Sequence, residues 1–137
     1  MAKTPVRRVV VTPDKHFPLA DHAAIKVLCK SIEIVKPDTY IDLGDVGEWE
    51  SASMWKWKKK KRPPLEYQMP SIEQDIKDVN KGMDIIDESL DKINCKERHF
   101  CQGNHDAWLD RFNDEHPYLK LSFKNAVDLK GRGYKYH

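Results

Sequence analysis

The stretch ERHFCQGNHDAWLDRFN, residues 97–113, passes from an apolar segment through four small or polar residues into a second apolar segment. ERHFCQ has the length and composition of a buried strand, and AWLDRFN begins a helix close behind it. A strand that leads into a helix through a polar turn is the repeating unit of parallel α/β sheets. This stretch therefore predicts such a sheet, with GNHD, residues 103–106, at the carboxyl end of a strand.

The same unit occurs twice earlier in the chain. RRVVVT, residues 7–12, is a β-branched run that predicts a buried strand of a parallel sheet. Apolar residues at helical spacing predict a helix over residues 22–35, capped by Asp21. DTYIDL, residues 38–43, predicts a second strand.

The remaining segments complete the predicted order. Residues 50–70 lack periodicity, which predicts a long loop, and Ser71 with Gln74 resembles a capping box at the start of a long amphipathic helix. The tail predicts a short helix around residues 117–126 and the approach to a strand that the chain hardly begins. We therefore expect a single α/β domain over residues 1–137, with a parallel or mixed sheet of β-α-β-α-β-α order and helices packed on it.

Composition limits the function classes and the compartment. Charged residues make up 34% of the chain but the net charge is only +2, so the molecule as a whole is not a polybasic nucleic-acid binder. The three cysteines form no CxxC motif and predict buried free thiols in a reducing compartment. No apolar run is long enough for a signal peptide or a membrane span, so a cytoplasmic location is expected.

Polar side chains follow each of the three predicted strands. They are Asp14, His16, Asp45, Asn104, His105 and Asp106. Because ligands bind at the carboxyl ends of the strands in such sheets, these residues should form one site. Alternation along an extended segment lets both side chains of Asp-x-His reach one cation. Mixed oxygen and nitrogen donors favour Mn²⁺, Zn²⁺, Fe or Ni²⁺ over Mg²⁺ or Ca²⁺.

Each cluster also has an ordinary structural explanation. Asp-x-His occurs often in loops, Gly-Asp after a strand is usually a turn, and NHD can cap the helix that follows. The occurrence of all three clusters at successive strand ends favours the metal site.

These motifs resemble those of a known family. D-x-H, then G-D, then G-N-H-D on β-α-β-α-β is similar to the calcineurin-like metallophosphoesterases, from about residue 7 to the end of the chain. ESASMWKWKKKKRPP, residues 50–64, looks like the corresponding segment of the phage and bacterial members. The resemblance implies a metal-dependent phosphodiesterase or nuclease, located in the host cytoplasm if it is phage-encoded. It also implies half of that family's two-sheet sandwich.

The resemblance implies a role for each polar residue. Asp14 and His16 would bind a first metal ion, and Asp45 would bridge it to a second. Asn104 would bind the second ion. His105 would lie at the scissile phosphate to stabilise the transition state or protonate the leaving oxygen, and Asp106 would orient the His105 imidazole.

Complete members of the family carry further G-H and G-H-x-H motifs, which this chain lacks. His116 and His137 lie in no Gly-His motif, and His116 before Pro117 is expected to start a helix. One ion therefore keeps three of its implied ligands, and the other keeps only Asp45 and Asn104. A fragment, a split enzyme with a complementing C-terminal half, and an inactive remnant are all compatible with this pattern. The missing half predicts an exposed apolar face or strand edge, and hence self-association or a partner.

A basic loop, residues 55–62, follows the second motif. It contains Trp55, Lys56, Trp57, Lys58, Lys59, Lys60, Lys61 and Arg62. Aromatic residues interleaved with cations suit stacking on unpaired bases and contacts to phosphates, so the loop is a candidate for binding DNA or RNA. The alternative is a solvated loop with one tryptophan packed on the core. An inactive module that binds nucleic acid or a partner protein through this loop is the second candidate function.

Overall fold

The computed structural model describes residues 4–137 and contains one sheet of four parallel strands in the order β1-β2-β3-β4. The strands are β1 (Val9–Thr12), β2 (Thr39–Asp42), β3 (Glu97–Phe100) and β4 (Tyr134–Tyr136). The helices are α1 (His22–Val35), α2 (Leu65–Lys92), α3 (Asp106–Glu115) and α4 (Phe123–Ala126). The predicted α/β class with a parallel sheet is confirmed.

The helices cover one face of the sheet. Each strand pairs with the strand that precedes it, and right-handed crossovers between such neighbours place all the connecting helices on the same side. Tyr40, Phe100 and Tyr134 point to this side and are buried in the core.

On the opposite side of the sheet, which we call the open face, the described part of the chain, residues 4–137, forms no covering layer. Val9, Val11 and Leu43 on this face are 49%, 50% and 47% exposed. The prediction that residues 7–12 form a buried strand is therefore wrong. Strand β1 lies at the sheet edge, and only its alternate residues, such as Val10, pack against the core.

Capping by neighbouring residues explains why the predicted and observed bounds of α1 agree. The Asp21 carboxylate accepts hydrogen bonds from the backbone nitrogens of Ala23 at 2.8 Å and Ala24 at 3.2 Å. Lys36 ends the helix in the left-handed conformation, with φ of 48°. The predicted bounds of residues 22–35 are confirmed.

Helix α2 begins at Leu65, so the predicted start at Ser71 is wrong. Gln68 is buried in the first turns of α2, and its side chain donates to the Ser51 carbonyl at 3.0 Å. This tertiary contact accompanies a helix that continues through Pro70, which lacks a backbone N–H. The first residues of the predicted loop over residues 50–70 also form a short 3₁₀ helix, Glu50–Ala52.

The tail forms more structure than its sequence predicts. Strand β4 pairs with β3 along its length, with Arg98 opposite Tyr134 and Phe100 opposite Tyr136. The predicted helix over residues 117–126 is divided into a 3₁₀ helix, Pro117–Leu119, and α4. Lys120 lies between them in the left-handed conformation, which interrupts the helix.

Two findings bear on the compartment predictions. Cys95 is buried as a free thiol, whereas Cys29 and Cys101 are only half-buried, so the prediction of three buried thiols is wrong for two of them. Within residues 4–137, no helix has both the length and the apolar composition needed to cross a bilayer.

Candidate metal centre

The loops after β1 and β2 run side by side at the carboxyl edge of the sheet. The backbone nitrogen of Asp14 donates to the Gly44 carbonyl at 3.1 Å, and that of His16 donates to the Asp45 carbonyl at 2.9 Å. These bonds extend the parallel pairing of the two strands beyond their ends. They fix Asp14, His16 and Asp45 relative to one another.

Two glycines allow the loop after β3 to approach the loop after β2. A Cβ atom on Gly44, whose φ is 89°, would lie 2.2 Å from the Gly103 nitrogen. A Cβ atom on Gly103 would lie 2.2 Å from the backbone nitrogen of Asp45. Side chains at either position would therefore push the third loop away from the site.

The backbone at the site is held in a conformation that residues other than glycine rarely adopt. Asp14, His16 and Asp45 have φ values of 48°, 49° and 50°. Such conformations cost free energy and persist where the surrounding structure imposes them, most often at functional sites. All three are predicted metal ligands.

The donor atoms of these three side chains converge. One oxygen of Asp14, one nitrogen of His16 and one oxygen of Asp45 all lie within 4.8 Å of one another. The Nε2 atom of His16 is 3.9 Å from the nearer Asp14 oxygen. Two carboxylates and one imidazole fit a divalent cation with mixed donors, which needs bonds of about 2.0–2.2 Å.

Glu48, which is not among the predicted site residues, lies between the two histidines. Its Oε2 atom is 2.8 Å from Nδ1 of His16. The donor atoms of His16, Glu48 and His105 form a second group that lies within 4.8 Å. A sequence signal existed, because Glu48 is an acidic residue in the same strand-end loop as Asp45.

His105 lies beside His16, with its imidazole fixed by three neighbours. The ring centroids of the two histidines are 4.7 Å apart and the rings are nearly perpendicular. Nδ1 of His105 is 3.0 Å from the Glu48 carbonyl oxygen, and the ring stacks on Trp108 at 3.9 Å. Because a carbonyl only accepts, Nδ1 carries the proton and Nε2 is the nitrogen available to a substrate.

The predicted role of Asp106 is wrong, because its carboxylate does not hold the His105 imidazole. One oxygen accepts from the backbone nitrogens of Asp45 at 2.8 Å and Gly103 at 3.1 Å, and the other accepts from the Trp49 indole at 2.9 Å. Asp106 starts α3, so its side chain points back toward these loops. Burial raises the pKa of Asp106 to about 6.

Asn104 lies at the predicted turn and is exposed. Its neighbours are fixed: Gly103 donates to Asp106, and the His105 nitrogen donates to Asp45 Oδ1 at 2.8 Å. The Asn104 side chain makes no hydrogen bond within residues 4–137, so its amide oxygen is free to bind an ion.

A buried ion pair lies directly beneath these loops. The Lys15 ammonium is 2.8 Å from the Asp42 carboxylate, and both side chains are 2% exposed. Asp42 also accepts from the Gly44 nitrogen at 3.0 Å. Burial raises the pKa of Asp42, and the Lys15 charge opposes that rise. The pair ties the loop after β1 to the end of β2.

Two clefts of about 600 and 470 Å³ lie where the end of α2 meets the turn before β4. In these clefts Arg98 and Arg132 both pair with Asp87, so neither guanidinium is free of a protein partner.

No protein-family description, curated protein or solved structure matches this chain. Any functional proposal therefore rests on the convergence of the Asp14, His16 and Asp45 side chains.

Proposed function

We propose that this chain binds a divalent metal ion through Asp14, His16 and Asp45 and hydrolyses phosphoesters, in particular phosphodiesters. The observation that carries the proposal is the convergence of these three donor atoms within 4.8 Å at one edge of the sheet. Mn²⁺ suits the mixed donor set best, and Zn²⁺, Fe and Ni²⁺ are the alternatives. Asp45, as a bridging carboxylate, and Asn104 would provide donors for a second ion.

The arrangement supports a division of labour among the side chains. A bound ion would supply Lewis-acid activation of water and of a phosphate oxygen. Glu48 holds Nδ1 of His16, so that Nε2 of the same ring points to the Asp14 side. Nδ1 of His105 donates to the Glu48 carbonyl, so only the doubly protonated ring would carry an N–H on Nε2 that stabilises charge on a phosphate or protonates a leaving oxygen. Asp106 fixes the backbone of the metal ligand Asp45.

We further propose that the sheet is half of a metallophosphoesterase sandwich. The open face supports this, because half-exposed Val9, Val11 and Leu43 form a surface that a second layer would cover. The cover would be a complementing C-terminal half or a second copy of the chain.

The test combines metal binding with turnover. We expect Mn²⁺ to raise the melting temperature of the purified chain and to support hydrolysis of bis-p-nitrophenyl phosphate. Asp14→Ala should lose the Mn²⁺-dependent rise, and Asp45→Asn should lower turnover by about 100-fold or more, because each removes a charged ligand. Glu73→Gln, an exposed acid on α2, is the matched control and should behave as the unaltered chain.

The outcomes separate the two parts of the proposal. Metal binding that Asp14→Ala abolishes, without any hydrolysis, would retain the metal site and remove the enzymatic function. A melting temperature that Mn²⁺ leaves unchanged would contradict both the metal site and the enzymatic function.

A further inference from the structure

We propose that the basic loop binds single-stranded nucleic acid and places one of its phosphodiesters at the metal centre. Binding by the loop stands by itself, whereas placement at the metal centre rests on the proposed function. Single-stranded nucleic acid would then be the substrate class of that centre.

The loop presents an exposed indole among cations that lack acidic partners. Trp55 is 68% exposed, and the Lys58 ammonium lies 4.7 Å from its ring centroid. Lys56 pairs with Glu50, and Arg62 pairs with Glu115. Within residues 4–137, no ion pair involves the four exposed lysines between them, which are Lys58, Lys59, Lys60 and Lys61. Four uncompensated charges beside an exposed aromatic ring form an electrostatic and stacking surface.

The second tryptophan has a different role. Trp57 is half-buried, and its enclosed indole nitrogen has no hydrogen-bond partner among the residues that the structure describes. It packs inward while Trp55 points outward. One aromatic residue therefore attaches the loop to the protein, and the other remains available for stacking.

Contacts with α3 place the loop near the metal centre. Arg111 contacts the Met54 sulfur just before the loop, and Glu115 pairs with Arg62 at its end. Helix α3 begins at Asp106, within the site. At 1.5 Å per residue, these two contacts lie about 7 and 14 Å along the helix from that start. A short single strand would span this distance.

The charge distribution favours a polymer of phosphodiesters over a single small anion. The metal centre is acidic, with Asp14, Asp45 and Glu48 at its edge, so it attracts cations when no ion is bound. The basic loop lies to one side and attracts phosphates independently of the metal. A nucleic-acid strand has phosphates for both places. An unpaired base can also stack on Trp55, whereas the bases of a duplex are already stacked.

Binding is tested with the full chain and a fluorescently labelled twelve-residue oligothymidylate in the presence of EDTA. We expect binding that weakens with salt, measured by fluorescence anisotropy. Replacing Lys58, Lys59, Lys60 and Lys61 with Gln should reduce the slope of log affinity against log salt by about 3. Each phosphate contact that is lost lowers this slope by about 0.7. Trp55→Ala should weaken binding by about 5- to 150-fold, and Trp55→Phe should retain most of it.

A matched variant controls for net charge. Replacing Lys26, Lys30, Lys77 and Lys81 with Gln removes the same charge from exposed positions on α1 and α2. Its affinity should remain within about threefold of the unaltered chain, because these lysines lie on other elements. Equal losses in the two quadruple variants, or unchanged binding by Trp55→Ala, would overturn the proposal. Binding to phosphatidylserine vesicles without binding to the oligonucleotide would also overturn it.

EDTA separates this test from that of the proposed function. Oligonucleotide binding by a chain that shows no Mn²⁺-dependent hydrolysis would support nucleic-acid binding by the loop and contradict the proposed hydrolase activity. Hydrolysis of bis-p-nitrophenyl phosphate without oligonucleotide binding would contradict nucleic-acid binding by the loop and leave the proposed hydrolase activity in place. Asp45→Asn should retain oligonucleotide binding, since Asp45 is outside the loop.

Discussion

The carboxyl group of Asp106 holds the loops after β2 and β3 together from inside the protein. It accepts two backbone N–H groups and one indole N–H, and it is 0% exposed. Burial disfavours its charged form, which raises its pKa from 3.8 to about 6. Its ionisation near neutral pH therefore has a cost in stability, which its donors offset in part.

This cost predicts a specific pH dependence in the metal-free protein. Because the folded state binds the proton more tightly, the free energy of unfolding should fall as pH rises from about 4 to 6. Asp106→Asn lacks this titration. Between pH 4.5 and 7, the unaltered chain should therefore lose about 2 kcal/mol relative to the variant, measured by urea unfolding in EDTA. An equal pH response in both proteins would contradict the raised pKa.

At the residue scale, the sequence predicted where the site residues lie better than it predicted the partners of their side chains. Successive strand ends brought Asp14, His16 and Asp45 to one edge because the carboxyl ends of parallel strands meet there. The partner of Asp106 could not be predicted, since it depends on the orientation of α3 and on the Trp49 indole. Glu48 was missed because its contact with His16 requires the path of the loop in three dimensions.

At the scale of elements, α2 supports the candidate metal centre through a close contact with Phe17. A Cβ atom on Gly82 of α2 would lie 2.4 Å from the Phe17 ring. Phe17 follows His16 and donates its backbone N–H to the Val46 carbonyl at 2.8 Å. The absence of a side chain at residue 82 therefore lets the helix and the site loop pack together.

Gly82→Ala tests whether this contact outweighs helix propensity. The substitution should gain about 1 kcal/mol as a helix residue but lose about 2–3 kcal/mol to overpacking against Phe17. We expect a net loss of about 1–2 kcal/mol in urea unfolding and weaker Mn²⁺ binding. Ser71→Ala, at an exposed position of α2, is the control and should be neutral or slightly stabilising. A Gly82→Ala chain as stable as the unaltered one would contradict the contact.

Local and long-range causes explain which elements sequence could predict. The bounds of α1 follow from Asp21 and from apolar periodicity, both of which are local. The start of α2 depends on the contact between Gln68 and Ser51, which are 17 residues apart in sequence. Strand β4 forms because β3 provides a free edge for it, a feature that its own three residues do not encode.

At the scale of the whole molecule, the open face makes one side of the sheet unlike the other. Val9, Val11 and Leu43 are about half exposed on it, whereas the helix-covered side contains fully buried aromatic residues such as Tyr40. Contiguous exposed apolar surface favours association in water. Sequence predicted an apolar face or edge, but which face the helices cover depends on the order of the strands.

The open face predicts concentration-dependent self-association of the purified chain. Sedimentation velocity should show a weight-average coefficient that rises with protein concentration. Val11→Lys combined with Leu43→Lys should suppress this rise, because each places a charge in the apolar surface. Val27→Lys, at a 65% exposed position on α1, is the matched control and should leave the rise unchanged. A monomeric chain at all concentrations, or equal suppression by the control, would contradict the prediction.

The sequential order of the strands also has a consequence for synthesis on the ribosome. Because each strand pairs with the one made just before it, every new unit can dock on an existing edge, and no later strand must be inserted between earlier ones. Asp14 and Asp106 are nevertheless 92 positions apart in the chain. At about 5–20 residues per second, translation takes roughly 5 to 20 s to connect them. The nascent chain therefore carries the loops after β1 and β2 for several seconds before α3 emerges to fix their backbone.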